Sequence, residues 1–537
     1  MKNKFILFLC LIAFLSFFLN TFKKNLTPPC FTADEAAFAY NSYSILNTGR
    51  DEYGNFMPLR LKSFNDNKLP LYSYLSIPFI KYMGLNTTSA RALNDLVSIL
   101  IPIAVFFLVK ELFNKKSIAL IAAFLTASSL GLHLIGRQAH EGYLATLLIT
   151  ISSVFFIKSI KKISLWNSIW FVIPLGLSLF TYQSSRIFLI YFFVFSSVYF
   201  FFFNKIKKPN RSIFISLIFF VLILFLYPDF KYNPTRLKTL FLFTNPGLQV
   251  KTQELRIEGG SRILYNKLTV GLREAFFNHL KYFSPQFLAI SGDENTRFGY
   301  GEMYPMTPIE YFFIFVGIYY LFKNKEKWRW FILTLFFIAP LSSSLTWTAI
   351  SLTRSLFILI PATVISSYGI YSFIKESQNK RRLVIISILF IEAVFLFYSW
   401  NFYLNHYYKR GVVRFSMQCG YKELSSYVEK NYNKFEKFYI SPEHGEPYIF
   451  LLFYNKYPPT SYQKQAKLTG PDQYGFGQVE KFDKFIFSLT GSSDKKNVAL
   501  IAYPHDFQGL SQKQLLKIKK IKMDKDEFFW IQEVLDE

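Results

Sequence analysis

Residues 1–40 read MKNKFILFLCLIAFLSFFLNTFKKNLTPPCFTADEAAFAY. After a basic start, the run near 5–22 is apolar over a length that crosses about 30 Å of hydrocarbon. The run has the charged start and apolar centre of a signal peptide, but it lacks a small-residue cleavage site. We therefore predict a retained first transmembrane helix with the N-terminus in the cytoplasm. Two acids, Asp34 and Glu35, follow just beyond the outer end of this helix.

The composition indicates a membrane protein throughout the chain. Of the 537 residues, 51% are hydrophobic and 20% are aromatic, which is too apolar for ordinary soluble domains. The formal net charge is +26, and such an excess also occurs in nucleic-acid-binding proteins. Here many of the Lys and Arg residues form short clusters between apolar runs, as cytoplasmic loops of membrane proteins do. No nucleic-acid partner is therefore expected.

Apolar segments of spanning length recur along the chain, and basic clusters mark every second connection as cytoplasmic. The fold class is therefore mainly α, a multi-pass protein of the cell membrane with long outer loops at 23–91 and 229–307. The sequence predicts about eleven transmembrane helices, near 5–22, 92–112, 117–136, 141–160, 165–182, 186–204, 211–228, 308–323, 329–346, 351–374 and 383–404.

The sequence changes character after residue 404. Residues 405–537 lack long apolar runs and alternate helix-like stretches such as YKELSSYVEKNYNKF with strand-like ones such as NVALIAYP. We expect a transmembrane domain over 1–404 and a small extracytoplasmic α/β domain of unknown role over 405–537. Cys30 and Cys419 would both lie outside, which allows one disulfide, although nothing in their spacing demands it.

The first outer loop is the densest polar segment of the membrane domain. We predict a helix from Ala33 to about Leu46, a turn at NTGRDEYGN with a solvated charge cluster, and an amphipathic helix from about Pro70. Thr32 and Glu35 have the spacing of a capping box at the start of the first helix. Asp34 suits the same helix end because the helix dipole favours a negative charge there. Both acids therefore have a structural explanation as well as a catalytic one.

Three arginines occupy short outward connections, where positive charge is expected to be scarce. Arg137 lies in GRQAHEG, Arg186 in TYQSSRIF and Arg354 in SLTRSLF. A single arginine at a helix end can reach lipid headgroups. Three arginines at one depth could instead gather around an anionic group in the folded bundle.

The stretches ADEAAFAYNSYSILNTGRDEYGNFMPL and NDNKLPLYSYL resemble the first outer loop of the C-type glycosyltransferase superfamily. The resemblance is particularly to the family 39 branch, with protein O-mannosyltransferases and lipid A aminoarabinose transferases, and to its bacterial members. GRQAHEGYLA is similar to the second outer loop, and the resemblance covers roughly residues 1–375. It implies that Asp34 is the catalytic base, that Lys68 is associated with the donor phosphate and that Glu141 is a second acidic residue. The chain departs from the family at Leu69, where a proline is common.

The resemblance implies an enzyme, a hexosyl or pentosyl transferase that takes its sugar from a polyprenyl-phosphate donor. The acceptor would be a hydroxyl group on the outer face, of a protein, a lipid or a cell-wall glycan, and transfer would invert the anomeric centre. One carboxylate can take the acceptor proton, and nearby cations can stabilise the leaving phosphate. Asp34 would be the base, and the donor phosphate would be bound by Lys68, Arg137, Arg186 and Arg354.

Supporting or acceptor-side roles are expected for Glu35, His140, Glu141 and Tyr182, each with a simpler alternative. Glu141 could pair with Arg137 four positions earlier on a helix end, His140 could be an interfacial polar residue, and Tyr182 could belong to the aromatic belt. Asp34, Glu35 and Glu141 could together hold Mg²⁺ or Mn²⁺. Because the basic group can neutralise one phosphate alone, we predict no metal or other cofactor.

Two other functions share many of these features. A polymerase or ligase of undecaprenyl-diphosphate-linked glycans would also have many helices and long outer loops, but its decisive residues should lie in a late outer loop. A lipid or glycan transporter or flippase would place charges near the bilayer midplane and show repeated halves. Nearly all charges here lie at helix ends, with Glu392 in FIEAVFLF as the exception.

Overall fold

The structure is a computed structural model, and it is mostly helical. It describes residues 2–64, 66–162, 164–202, 241–301, 303–347, 350–443, 445–470, 477, 479–490, 496–508 and 510–535. The chain forms two compact units. Unit 1 comprises Met1–Lys24 and Asn94–His406, and unit 2 comprises Asn25–Leu93 and Tyr407–Glu537.

In chain order, the helices of the described residues are α1 (Lys2–Thr21), α2 (Ala33–Thr48), α3 (Leu71–Met83), α4 (Thr87–Phe113), α5 (Lys116–Ser128), α6 (Leu130–Gly136), α7 (Glu141–Lys161), α8 (Leu165–Leu179), α9 (Arg186–Phe202), α10 (Pro246–Ile257), α11 (Lys267–Lys281), α12 (Pro308–Lys323), α13 (Arg329–Ile338), α14 (Leu341–Ser344), α15 (Leu352–Ser355), α16 (Leu359–Glu376), α17 (Arg381–Asn405), α18 (Gly411–Ser416), α19 (Tyr421–Lys430), α20 (Pro447–Tyr454), α21 (Pro459–Gln465) and α22 (Gln512–Leu515).

The strands are β1 (Leu61–Ser63), β2 (Asp66–Lys68), β3 (Lys437–Ile440), β4 (Lys467–Leu468), β5 (Val479–Phe482), β6 (Phe485–Ile486), β7 (Val498–Ala502), β8 (Lys519–Met523) and β9 (Asp526–Val534).

Fewer helices than predicted are long and apolar enough to cross a membrane. Among the described residues there are 5, or up to 6 if the bent pair α5 and α6 is one span. The count of about eleven is therefore not confirmed, and the span predicted near 211–228 lies outside the described residues. These long helices are Lys4–Thr21, Thr87–Phe113, Glu141–Lys161, Leu352–Glu376 and Gln378–Lys409, with shorter apolar helices at Leu165–Leu179 and Arg329–Ser344.

The segment predicted as one straight span near 117–136 is bent by 52°. The break falls at Ser129, whose ψ of 112° is not helical, so the backbone ladder of α5 stops there. The Ser129 side chain then accepts a hydrogen bond from the Leu132 N–H and starts α6. Spanning length and hydropathy alone did not locate this break, because they do not specify the backbone angles at Ser129.

Glycines let two helices of unit 1 approach closely. A Cβ atom on Gly317 in α12 would lie 2.1 Å from the carbonyl oxygen of Ile365 in α16, and one on Gly369 would lie 2.5 Å from that of Phe313. Small residues allow such backbone contact between membrane helices.

Glu392, the one acid that the sequence places inside an apolar run, is buried in α17 of unit 1. Its Oε2 accepts a hydrogen bond of 2.6 Å from the hydroxyl of Thr307, the residue that caps α12. Thr307 also forms a capping box with Glu310. Glu392 therefore links α17 to the start of α12.

Unit 2 contains a seven-stranded sheet in the order β4-β5-β6-β3-β7-β9-β8. β3 is parallel to β6 and β7, whereas the other neighbouring pairs are antiparallel. The sheet confirms the predicted C-terminal α/β character. The packing unit also takes in the first outer loop, which the sequence analysis assigned to the membrane domain, and the functional division at residue 404 stays a prediction.

The first outer loop joins unit 2 through α2, which packs against α3 and α20. The predicted helix from Ala33 is confirmed and extends to Thr48, where Gly49 ends it with φ 67°. The helix predicted from about Pro70 is also confirmed as α3, with Pro70 at its N-cap. Between these two helices the structure has the antiparallel hairpin β1–β2, which the sequence analysis did not predict.

Candidate functional site

The first turn of α2 has the predicted capping box. The Glu35 N–H donates to Thr32 Oγ1 at 3.4 Å, and the Thr32 N–H donates back to Glu35 Oε2 at 3.1 Å. These bonds satisfy backbone donors that have no partner within a helix end. Asp34, between them, is turned outward with 62% of its side chain exposed. The cap therefore fixes the backbone of Asp34 while its carboxylate remains accessible.

Lys68 forms an ion pair with Asp34 Oδ1. The Lys68 side chain is only 9% exposed, and its Nζ lies 5.0 Å from the ring centre of Phe38 and 4.7 Å from that of Phe64. Aromatic faces attract a cation at these distances. The ammonium group of Lys68, the last residue of β2, is therefore buried, whereas the Asp34 carboxylate that it contacts is exposed. The structure brings these two predicted site residues together.

Glu35 is buried and is held by Arg91, which the sequence analysis missed. The Arg91 Nε donates to Glu35 Oε1 at 2.7 Å and its Nη2 donates to Oε2 at 2.9 Å. A two-pronged pair of this kind is the strongest form of arginine–carboxylate contact. Arg91 lies in the first turns of α4, at the end of the long outer loop predicted over 23–91, so the argument from short outward connections did not select it. Because Arg91 engages both of its oxygens, Glu35 has a structural role at the site.

The stretch GRDEYG does not contain the solvated charge cluster predicted from the sequence, because its two acids are buried. Asp51 Oδ1 accepts the N–H groups of Tyr53 and Asn55 at 3.0 and 2.8 Å, which closes the turn. Burial raises the pKa of Glu52 to about 8, although the hydrogen bond from Tyr448 and the nearby charge of Lys68 act in the opposite direction. The burial depends on residues almost 400 positions away, which no local pattern reveals.

The other predicted site residues belong to unit 1. Arg137 is 0% exposed. Its Nη1 donates to the Leu19 carbonyl at 2.6 Å and its Nη2 to the Phe22 carbonyl at 2.8 Å. A cation is favourable at the C-terminal end of a helix, where backbone carbonyls lack helical partners. Arg137 therefore caps α1, a role that the sequence analysis did not foresee.

His140 and Glu141 form the start of α7. The His140 Nδ1 accepts the Gly142 N–H at 3.0 Å, so the imidazole is the N-cap of the helix. Its ring contacts that of Tyr182 edge-on, with 5.8 Å between the ring centres. Glu141 is the first residue of α7 whereas Arg137 follows the end of α6, so the alternative i to i+4 pairing within one helix does not apply.

Arg186 and Arg354 are half-buried at or near helix N-termini of unit 1. The Arg354 Nη1 donates to Thr346 Oγ1 at 3.0 Å. Near it lies Asp293, which is buried and accepts the Leu352 N–H through Oδ2 at 2.5 Å. Burial raises the pKa of Asp293 to about 6, and the charge of Arg354 limits the rise. No role was predicted for Asp293 from the sequence, where the available signal was an acid in the long outer loop 229–307.

A three-residue group suited to a metal ion occurs in unit 2, and it includes none of the predicted acids. Among the described residues, one ligand atom each of Glu443, His505 and Asp506 lie within 4.8 Å of one another. All three side chains are exposed, and exposed acidic groups often have no ion. The structure pairs Asp34 with Lys68, and metal independence stays a prediction.

No family model matches the sequence, and no curated protein matches it. Two solved structures share its fold. ArnT from Cupriavidus metallidurans, bound to undecaprenyl phosphate, has a TM-score of 0.52 at 9% identity over 99% of this chain and 98% of that chain. The oligosaccharyltransferase AglB from Archaeoglobus fulgidus, in complex with an inhibitory peptide and a dolichol-phosphate, has a TM-score of 0.50 at 14% identity.

The match with AglB covers 84% of this chain but only 63% of AglB, so the chain spans less than two thirds of that protein's length. At these identities the similarity concerns the fold alone. The family membership suggested by the sequence motifs stays a prediction.

Proposed function

We propose that this chain is an integral membrane glycosyltransferase that moves a monosaccharide from a polyprenyl-phosphate donor to an acceptor hydroxyl at the outer face of the membrane. The fold shared with ArnT over almost the whole of both chains supports this proposal, since ArnT binds undecaprenyl phosphate and AglB binds dolichol-phosphate. The apolar helices supply the surroundings that the tail of such a donor needs. The family 39 branch and the hexosyl or pentosyl class rest on the sequence motifs.

The observation that carries the proposal is the Asp34–Lys68 pair. Asp34 is exposed yet fixed by the capping box, and Lys68 is held beside it between two aromatic rings. A general base must be both accessible and positioned within hydrogen-bond reach of the proton that it takes. A fixed cation can stabilise negative charge as it develops on a leaving group. One exposed carboxylate with one buried ammonium is the arrangement that direct displacement of a phosphate needs.

The proposed reaction is a single displacement. The acceptor oxygen attacks the anomeric carbon opposite the phosphate, and the new C–O bond forms as the bond between that carbon and the phosphate oxygen breaks. The bonding electrons leave with the phosphate, whose charge Lys68 stabilises, and the acceptor proton passes to the Asp34 carboxylate. The products are a glycosylated acceptor of inverted configuration and polyprenyl phosphate.

The other predicted site residues have different roles in the proposal. Arg186 and Arg354 are retained as further ligands of the donor phosphate on the basis of the sequence pattern. His140, Glu141 and Tyr182 form one contact cluster and are retained as acceptor-side residues. Arg137 and Glu35 are assigned structural roles, because carbonyl oxygens and Arg91, respectively, engage their charged groups.

The test uses purified protein in proteoliposomes with synthetic, radiolabelled undecaprenyl-phosphate monosaccharides. Membranes of cells that lack this chain provide the acceptor. We expect Asp34→Asn to lower the transfer rate by about 10²–10⁴-fold, the usual contribution of a general base, while undecaprenyl phosphate still binds.

Glu423→Gln is the matched control, since Glu423 is also an exposed acid in the first turn of a unit 2 helix. It should leave transfer unchanged. Wild-type transfer by Asp34→Asn would refute the assignment of the base. Movement of the labelled lipid across the bilayer without any transfer would instead support a flippase.

A further inference from the structure

The backbone that carries Asp34 is held by residues from distant parts of unit 2. Asp34 is the second residue of α2, and the first turn of a helix has backbone N–H groups without helical partners. The capping box satisfies some of these groups locally. Arg91 and the segment around Gln418 contact the residues on either side of Asp34.

Arg91 connects the loop before α2 with the helix itself. Its guanidinium binds both oxygens of Glu35, and its Nη2 also donates to the Cys30 carbonyl at 2.9 Å. Arg91 and Glu35 are 7% and 2% exposed. A planar guanidinium can make these contacts at once, whereas the single ammonium of a lysine cannot reproduce their geometry. Cys30, in the loop before α2, and Glu35, directly after Asp34, therefore contact the same guanidinium group.

Gln418 contacts the helix end from the C-terminal part of the chain. Its Oε1 accepts the N–H of Ala33, the residue just before Asp34, at 2.9 Å. The next residue, Cys419, forms a disulfide with Cys30, with 5.3 Å between their Cα atoms. This disulfide is the pairing that the sequence allowed but did not require.

The turn that presents Gln418 is itself closely packed. Gln418 has φ 54° and Gly420 has φ 93°, both in the left-handed region. A Cβ atom on Gly420 would lie 2.6 Å from the Cβ of Phe528, so glycine is needed there for space as well as for conformation. The position of Gln418 is therefore set by the sheet that Phe528 belongs to.

Two further hydrogen bonds join the C-terminal segment to the first outer loop. The Tyr448 hydroxyl donates to Glu52 Oε1 at 2.8 Å, and the Tyr40 hydroxyl donates to the Tyr457 carbonyl at 3.0 Å. Tyr40 and Tyr448 are both fully buried. The C-terminal segment thus holds α2 at its first turn and again two turns later, on the helix that carries Asp34.

We infer that Tyr407–Glu537 is a positioning element for Asp34, and that Gln418 and Arg91 are positioning residues that act through Ala33 and Glu35. This inference rests on the proposed function, in which Asp34 is the base. The Gln418–Ala33 bond and the Arg91–Glu35 pair fix the direction in which the first turn presents the Asp34 carboxylate. Small misplacements of a catalytic group are costly to the rate, so contacts remote from substrate control turnover.

The test compares variants that keep or remove each contact in the transfer assay described above. Gln418→Met keeps the length of the side chain but removes the acceptor, and Gln418→Glu keeps the acceptor. We expect Gln418→Met and Arg91→Lys to lower kcat by about 10–100-fold with less than a threefold change in KM for the donor, and Gln418→Glu to retain most of the activity. Lys161→Arg, which alters the Lys161–Glu111 ion pair of unit 1 outside the proposed positioning contacts, is the control and should leave kcat unchanged.

Hydrogen exchange of the peptide covering residues 31–40 provides a second readout that does not depend on activity. Exchange there should rise in Gln418→Met and after reduction of the disulfide in folded wild-type protein, with a parallel loss of kcat. Wild-type kcat in Gln418→Met, or a loss confined to KM, would overturn the inference. Full activity of Asp34→Asn would instead refute the proposed function, so the two failures are distinguishable.

Discussion

Replacement of Glu52 by glutamine should make the stability of the protein less sensitive to pH. Glu52 is 1% exposed, and its two oxygens accept hydrogen bonds from the Tyr448 hydroxyl at 2.8 Å and the Asn41 amide at 3.1 Å. Burial is the largest influence on this carboxyl and raises its pKa from 4.5 to about 8. Glutamine has nearly the same shape but does not ionise.

The sign of the effect follows from the direction of the pKa change. Because the pKa is higher in the folded protein, the folded state retains a proton that the unfolded chain releases above about pH 4.5. The Glu52 carboxyl group therefore favours folding most at low pH, and its contribution to the free energy of unfolding is lost as the pH rises towards 8. A difference of one in pKa corresponds to about 1.4 kcal/mol, so the loss from this group between pH 5.5 and 8.5 is about 3 kcal/mol.

The assay measures the melting temperature of wild-type protein and Glu52→Gln in detergent between pH 5.5 and 8.5. For about 200 residues, 1 kcal/mol corresponds to about 2–4 °C, so the variant should gain about 6–12 °C relative to wild type across this range. Glu423→Gln, at an exposed acid of the same unit, should show no such relative gain. A difference between wild type and Glu52→Gln that is constant with pH, or largest at low pH, would refute the reasoning.

Three further outcomes are expected. Arg137→Ala should lower the free energy of unfolding by about 3–6 kcal/mol, because it removes two hydrogen bonds from a charged group that contribute about 1.5–3 kcal/mol each. Titration with undecaprenyl phosphate should give unchanged affinity, and weaker binding at an unchanged melting temperature would contradict this. Lys68→Met should weaken binding of undecaprenyl phosphate at least about tenfold, since one charged contact contributes about 1.5–3 kcal/mol. Equal binding by Lys68→Met and Lys68→Arg would contradict this prediction. Chelation with EDTA should leave transfer unchanged, and a loss that Mg²⁺ or Mn²⁺ restores would show a metal requirement.

The start of α2 could be predicted because its signal is local. Thr32 and Glu35 are three residues apart, and both partners of the capping box lie within one turn of helix. The same is true of the apolar segments, whose composition alone indicates a membrane. The exact paths of those segments are less predictable, because the break at Ser129 depends on backbone angles that hydropathy does not specify.

The partners of the site residues could not be predicted in the same way. Glu35 and Arg91 are 56 positions apart, and Tyr448 is 396 positions from Glu52. The short stretch around Glu52 has the composition of a solvated turn, and only packing against the C-terminal segment buries it. Arg137 likewise has the sequence context of a membrane-interface arginine, and only the fold brings its guanidinium to the end of α1.

The sequence by itself therefore determined the membrane class and the helix that carries Asp34, and its resemblance to a known family selected Asp34 and Lys68 as candidates. Hydropathy and helix capping depend on neighbours within a few residues, so these features can be read from the chain. The tertiary structure decided which charges are exposed, which are buried and which residue each one contacts. Burial and ion pairing depend on segments that meet only on folding, as Cys30 and Cys419 do across 389 positions.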